Sequence, residues 1–153
     1  MSDSRLNISR VVKNETLAAI DKTDFLGLSN ESCERIELFL FAMAMGAGVK
    51  WDPERIPSIA LIRVVSVKPD WQNLMYATYI ASLGDIDGEV KLIGDDSNVT
   101  LYCSKCADAG FQRISEMMKG DQDVILEEMT ADLVERYKDI AAKYPELGLG
   151  VID

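Results

Sequence analysis

The chain has 153 residues and carries 26 acidic against 16 basic side chains, which gives a formal net charge of −10. This length is typical of one domain and is sufficient to bury a sizeable core, and a hydrophobic content of 48% argues against disorder. The acidity disfavours direct binding to DNA or RNA, because such proteins contact phosphates through clusters of basic side chains.

The chain contains no histidine, which excludes Ser-His-Asp and Cys-His catalysis and histidine-ligated metal sites. Residues 1–10 are polar and lack the apolar segment of a signal peptide. The longest apolar run, Leu38 to Met45, is too short to span a bilayer. We therefore expect a soluble cytoplasmic protein without a membrane-spanning segment, whose three cysteines are free thiols.

The predicted elements begin with an N-terminal segment, residues 1–28, in which a loose polar start precedes one short helix at 14–22. The next predicted helix covers about residues 31–45, with Ser29 or Asn30 as its N-cap. The second half of this helix is apolar on every side, which is typical of a central helix covered by its neighbours.

Residues 59–67 fit two kinds of element. Their β-branched side chains favour a strand, whereas Pro57 just before them suits the first turn of a helix equally well. We interpret them as a short extended segment. A clearer helix is predicted at 69–83, where Gly84 ends it.

Two long helices are predicted in the C-terminal half. The first extends to Lys119 and has apolar side chains at the i, i+3/i+4 spacing of a buried helix face. This stripe comprises Val99, Cys103, Cys106, Gly110, Ile114 and Met117. The second helix covers residues 122–143. Its stripe comprises Leu126, Met129, Leu133, Tyr137 and Ile140.

Together these elements predict a mainly helical, all-α fold. We expect a single compact domain of about five to six helices, with one short extended segment near 59–67. The helical core domain is predicted to span residues 29–144, between the N-terminal segment and a C-terminal tail at 145–153.

The pair Cys103 and Cys106 is the motif that most suggests metal or redox chemistry. A tetrahedral zinc site needs four ligands, however, and Cys33 is the only other thiol. A redox pair normally begins a helix, where the dipole lowers the thiol pKa, whereas these thiols lie inside a predicted helix on its apolar stripe. We interpret both as small hydrophobic core residues, with metal or redox chemistry as the alternative.

Acidic side chains are the other candidates for metal or acid–base chemistry. Asp85, Asp87 and Glu89 resemble part of a calcium loop, but the glycine and the closing glutamate of an EF-hand are misplaced. The carboxylates of the last helix lie beside or opposite its stripe, and Asp132 and Arg136 are spaced for an ion pair. We interpret both sets as solvated, and we predict neither a cofactor nor a metal site.

A partner-binding surface is predicted at the end of the first long helix. Phe111 lies one position past the apolar stripe, and Met118 follows it by two helical turns on the same edge. Glu116, Asp121 and Asp123 would form a polar rim that favours a basic partner. In the alternative interpretation, Phe111 and Met118 fill the groove between the last two helices.

Several of these segments, taken in order, carry a resemblance to a known family. They are Arg35–Gly46, Ile62–Arg63, Leu74–Leu83, Ile114–Met117 and Val124–Met129. The series resembles small helical accessory proteins of prokaryotic DNA phosphorothioation (sulfur-modification) and phage-defence systems. The resemblance covers about residues 30–140. It implies a prokaryotic protein with an accessory, non-enzymatic role.

The functional hypothesis is therefore a non-enzymatic adaptor that binds a larger protein, in an assembly for DNA modification or phage defence. Two alternatives remain open. One is a small enzyme that uses a metal or its thiols, and the other is a structural homo-oligomer.

Overall fold

The computed structural model describes residues 4–49, 51–82 and 96–150, and within them the fold is mainly helical, as predicted. The helices are α1 (Leu17–Thr23), α2 (Arg35–Gly46), α3 (Pro69–Ser82), α4 (Asp96–Met117) and α5 (Gln122–Lys143). The strands are β1 (Arg5–Ile8) and β2 (Ile59–Arg63).

The strands β1 and β2 form a small antiparallel sheet in which Leu6 pairs with Ile62 and Ile8 pairs with Ile59. The prediction of an extended segment near 59–67 is therefore confirmed for its first half, and a 3₁₀ turn follows at Val64–Ser66. The prediction of a loose start is wrong, because Leu6 and Ile8 alternate inward and are buried.

The N-terminal segment belongs to the core. After β1, a π-helical turn at Val12–Thr16 continues into α1, and Val12 and Ile20 are completely buried. The backbone N–H of Asn7 also donates to the hydroxyl of Ser104 on α4 at 3.0 Å. Residues on both sides of position 28 therefore contribute to the buried core.

The helix α2 is central, as its apolar sequence predicts, and Leu38 and Phe39 are completely buried. It begins later than predicted, and its N-cap is Glu34 rather than Ser29 or Asn30. Glu34 and Glu37 form a reciprocal capping box, in which each carboxylate accepts the backbone N–H of the other residue.

The helices α2 and α4 cross with their backbones in direct contact. A methyl group added to Gly46 would lie 1.8 Å from the carbonyl oxygen of Cys106, and one added to Gly110 would lie 1.6 Å from the carbonyl oxygen of Ala42. No side chain fits at either distance. Glycine at both positions therefore sets how closely the two helices approach.

The chain divides into two compact units, residues 1–116 and 117–153. In the second unit, the carboxylate of Asp121 caps α5 by accepting the backbone N–H groups of Asp123 and Val124. The tail returns to the helix, where the hydroxyl of Tyr137 donates to the carbonyl oxygen of Gly150 at 2.7 Å. The helix α5 thus groups with the tail.

Candidate functional site

A cleft of about 430 Å³ lies within the first unit, between the loop 51–57 and one side of α4. The helix contributes Leu101, Lys105, Asp108 and Ala109. The loop contributes Trp51, Asp52, Pro53, Arg55, Ile56 and Pro57. A cleft of this volume, lined mainly by apolar side chains with a few polar groups, is typical of a binding site.

A buried carboxylate fixes the loop of this cleft. Asp108 accepts a hydrogen bond from Nε of Arg55 at 2.8 Å and another from the hydroxyl of Ser9 at 2.5 Å. The Asp108 side chain is 7% exposed and that of Arg55 is 16% exposed, so solvent screens this ion pair little. One side chain of α4 therefore ties together the loop and the residue that follows β1.

A series of aromatic rings supports the other end of the loop. The ring of Trp51 meets the ring of Tyr102 on α4 at a centroid distance of 5.5 Å and an angle of 68°. Tyr102 in turn lies 5.6 Å from Tyr79 on α3. Edge-to-face contacts of this kind are favourable, and they orient the indole at the side of the cleft.

The ammonium group of Lys105 is the positive charge that remains available in the cleft. Its Nζ lies 5.0 Å from the centroid of the Trp51 ring, a cation–π contact. Within the described part of the chain, Lys105 forms no ion pair, whereas Arg55 is neutralised by Asp108. The remaining acidic group, Asp52, accepts the backbone N–H of Glu54 at 2.9 Å and so shapes the loop.

Two aliphatic side chains of the cleft face solvent. Ile56 is 67% exposed and Leu101 is 48% exposed. Neither completes the core, so both are free to contact a ligand. The cleft therefore combines an aromatic wall, an aliphatic rim and one available cation.

The two thiols of α4 lie in the core and not in the cleft. Cys103 and Cys106 are completely buried, in agreement with their predicted role in core packing. Burial, with a smaller effect of neighbouring Cys106, raises the pKa of Cys103 to about 12, and burial also raises the pKa of Cys106. Both remain protonated at neutral pH, a form that is neither a good nucleophile nor a metal ligand.

The described ranges offer no candidate for a metal site or for a membrane-spanning helix. There, no group of three or more Cys, Asp or Glu side chains is arranged to hold a metal ion. The acidic residues Asp85, Asp87 and Glu89 lie outside the described residues. No described helix combines the length and apolarity that crossing a membrane requires.

The predicted partner surface is not assembled as the sequence suggests. Phe111 is completely buried in the first unit, because its position beside the stripe still faces the core. The expectation that it lies on an accessible edge is wrong. Met118 is half-buried, Glu116 and Asp123 are exposed, and exposed Asp121 serves as the N-cap of α5.

Sequence reasoning missed the cleft. Between the helix predicted at 31–45 and the segment 59–67 it considers only Pro57, although Trp51 and Ile56 are unusual side chains for a loop that contains two prolines. Leu101 and Lys105 are spaced four residues apart beside the apolar stripe of α4. These two residues form a face of α4 that is partly apolar and partly charged, next to the apolar stripe. This pattern is the sequence feature that could have indicated a binding site.

A scan against protein-family models finds no match, and searches of curated proteins and of solved structures find no similar protein.

Proposed function

We propose that the chain is a binding module without catalytic activity, which docks on a larger protein through the cleft between the loop 51–57 and α4. The observation that supports this most directly is the exposed aliphatic rim of Ile56 and Leu101 beside the available ammonium group of Lys105. Apolar contacts supply affinity in such a site, while a single charge supplies orientation.

The occupant that suits this cleft is an extended segment of the partner with one aliphatic and one acidic side chain. The aliphatic group would pack between Ile56 and Leu101. The carboxylate would pair with Lys105, which already lies at the Trp51 ring. The loop is held in place before binding by the Arg55–Asp108 ion pair, so little ordering is needed when the partner docks.

We further propose that this partner belongs to a prokaryotic DNA-modification or phage-defence assembly. This part of the proposal rests on the sequence resemblance described above. Identification of the genes beside this one, and of the proteins that co-purify with it from native cells, would test it directly.

The test of the docking site compares a double variant of the cleft with a control variant in a pull-down from native cells, with the recovered proteins identified by mass spectrometry. Ile56→Ser with Leu101→Ser should remove the recovered partner. The control is Val65→Ser, which changes a side chain that is 52% exposed but does not line the cleft. Recovery of the same partner by the cleft variant at unchanged yield would contradict the proposal.

A further variant tests the charge. Lys105→Glu should weaken binding of the purified partner, and the loss should shrink at high salt, where the repulsion is screened. Lys105→Arg should retain binding. Equal binding by the Glu and Arg variants would show that the cation has no part in recognition.

The competing enzyme hypothesis has its own test. Buried, protonated thiols lead us to expect no stoichiometric zinc in the purified protein. One zinc ion per chain by elemental analysis, or melting of the protein by a chelator, would favour the metal-dependent alternative.

A further inference from the structure

The helix α5 presents an apolar stripe in which three large side chains remain exposed, although Tyr137 contacts the tail of the same unit. Leu126 is 44% exposed, Leu133 is 63% exposed and Ile140 is 46% exposed. They recur every seven residues, with half-buried Met129 and Tyr137 between them. The stripe extends over about 21 Å at the rise of an α-helix, a length suited to pairing with another helix.

We propose that this stripe binds α5 of a second copy of the chain, with the two helices antiparallel and centred on Leu133. This interaction is independent of the cleft and goes beyond the proposed function. Both the charge distribution along α5 and the order of side chains in the stripe support an antiparallel second copy as the occupant.

The charges of α5 are unevenly distributed along its length. The N-terminal half, residues 122–132, has only acidic charges, on Asp123, Glu127, Glu128 and Asp132. The C-terminal half, residues 133–143, has an excess of basic side chains over acidic ones: Arg136, Lys138 and Lys143 against Glu135 and Asp139. Antiparallel pairing places each acidic half beside a basic half, and it also opposes the two helix dipoles favourably.

The order of apolar side chains along the stripe is also compatible with antiparallel pairing. When two copies are centred on Leu133, Leu126 of one lies opposite Ile140 of the other, and Met129 lies opposite Tyr137. Each layer therefore pairs large apolar side chains, as a helix–helix interface requires.

The centre of the proposed interface also pairs opposite charges. Asp132 and Arg136 lie on one flank of the stripe, and within the chain Nε of Arg136 lies 3.0 Å from Asp132. Reversal places this flank of both copies on the same side, where Arg136 of each copy lies about 3 Å, or two residues along the helix axis, from the level of Asp132 of the other. In a parallel pair the same flank would instead face uncharged Thr130 and Val134.

The first test is the mass of the purified protein over a range of concentrations, measured by light scattering coupled to size exclusion. We expect the wild-type chain to shift from monomer to dimer as the concentration rises. Leu133→Asp should weaken this self-association at least about tenfold, because each copy would place a carboxylate against that of the other. Val65→Asp, a substitution at an exposed site in the first unit, should dimerise normally.

A mixing experiment tests the orientation. Asp132→Arg alone gives each copy two facing cations, and Arg136→Asp alone gives two facing anions, so each variant should dimerise poorly. An equal mixture of the two should recover dimers, because both cations of one chain then face both carboxylates of the other. Unchanged far-UV circular dichroism of both variants would show that their poor dimerisation does not come from loss of helix.

Three results would overturn the proposal. They are a wild-type chain that stays monomeric at every concentration, a Leu133→Asp variant that dimerises as the wild type does, and a mixture that associates no better than its components. These measurements use the purified chain alone. Their outcome therefore does not depend on whether the cleft variants lose their partner.

Discussion

The two long helices offer the clearest comparison in this protein. Both α4 and α5 have 22 residues, and both carry apolar side chains at helical spacing. On α4 the stripe residues Val99, Cys106 and Ile114 are completely buried. On α5 the only buried apolar residue is Ile125, which lies beside the stripe rather than in it.

The difference shows that periodicity reveals a helix face but not what covers it. The stripe of α4 contains small residues, and Gly110 lets α2 approach until the backbones touch. The stripe of α5 contains large side chains, flanked by the charged pair Asp132 and Arg136. We infer that α4 forms the intramolecular core, whereas α5 provides an intermolecular surface.

The largest expected effect is at the helix crossing. Gly110→Ala should cost more than the ~1–3 kcal/mol of ordinary overpacking, because the obstacle is the backbone of Ala42 and no side-chain rotation can relieve it. Gly120→Ala is the matched control, since its nearest neighbour would be the flexible end of Ile125 at 3.4 Å. Chemical denaturation measures both, and equal stability of the two variants would refute the close crossing.

The second largest difference is expected in the stability lost when the ion pair of each helix is broken. Asp108→Ala should destabilise the protein by about 3–5 kcal/mol, because it leaves Arg55 without its buried partner. Asp132→Ala removes an exposed partner of Arg136 and should cost no more than about 1 kcal/mol in dilute solution. A small loss for Asp108→Ala would mean that the loop is not held by this pair.

Truncation of the two stripes should have different dependences on concentration. Ile114→Ala on α4 should lose about 3 kcal/mol at any protein concentration, because it leaves a cavity in the core. In dilute protein, Leu133→Ala on α5 should change the melting temperature little. At concentrations at which the wild-type chain dimerises, the variant should melt at a lower temperature than the wild type. A concentration-independent loss at Leu133 would place that side chain in an intramolecular core.

The smallest effects concern the buried thiols of α4. The pKa of Cys103 is raised to about 12 in the folded protein, whereas an unfolded thiol titrates near pH 9. The folded state therefore favours the protonated thiol, and this stabilising contribution is lost as the pH rises from about 9 toward 12. Cys103→Ala should reduce this loss, and equal pH dependence of the two proteins would contradict the burial of the thiol.

Replacing both Cys103 and Cys106 by alanine should cost about 1–3 kcal/mol near neutral pH through lost packing. Cys33→Ala serves as the control, because its thiol is only half-buried. Denaturation curves measured without metal and with a chelator should coincide for each variant, since the expected loss comes from packing alone.

Much of the fold follows from the sequence by local rules. The spacing in α5 predicts its bounds, and the continuous apolar run of α2 predicts its central position. The strand β1 could not be predicted in the same way, because its alternation of Leu6 and Ile8 is too short to stand out. It becomes a strand through pairing with β2, about fifty residues away in the chain.

The cleft was hidden for a similar reason. Arg55 and Asp108 are separated by 53 residues, so no local pattern indicates that they form an ion pair. Phe111 shows the opposite error, since its position next to the stripe predicts an exposed edge, whereas the side chain is completely buried in the first unit. Whether a residue beside a stripe is buried depends on how many neighbouring elements cover the helix. The spacing of apolar residues along one helix does not contain that information.

Hydrogen–deuterium exchange at low and high protein concentration tests the contrast between the helices most directly. We expect amides of α4 around Cys106 to be protected equally at both concentrations. Amides of α5 around Leu133 should exchange readily in dilute protein and become protected as the concentration rises. Protection of α5 that does not change with concentration, or protection of α4 that does, would contradict the assignment of one stripe to the core and the other to a second copy.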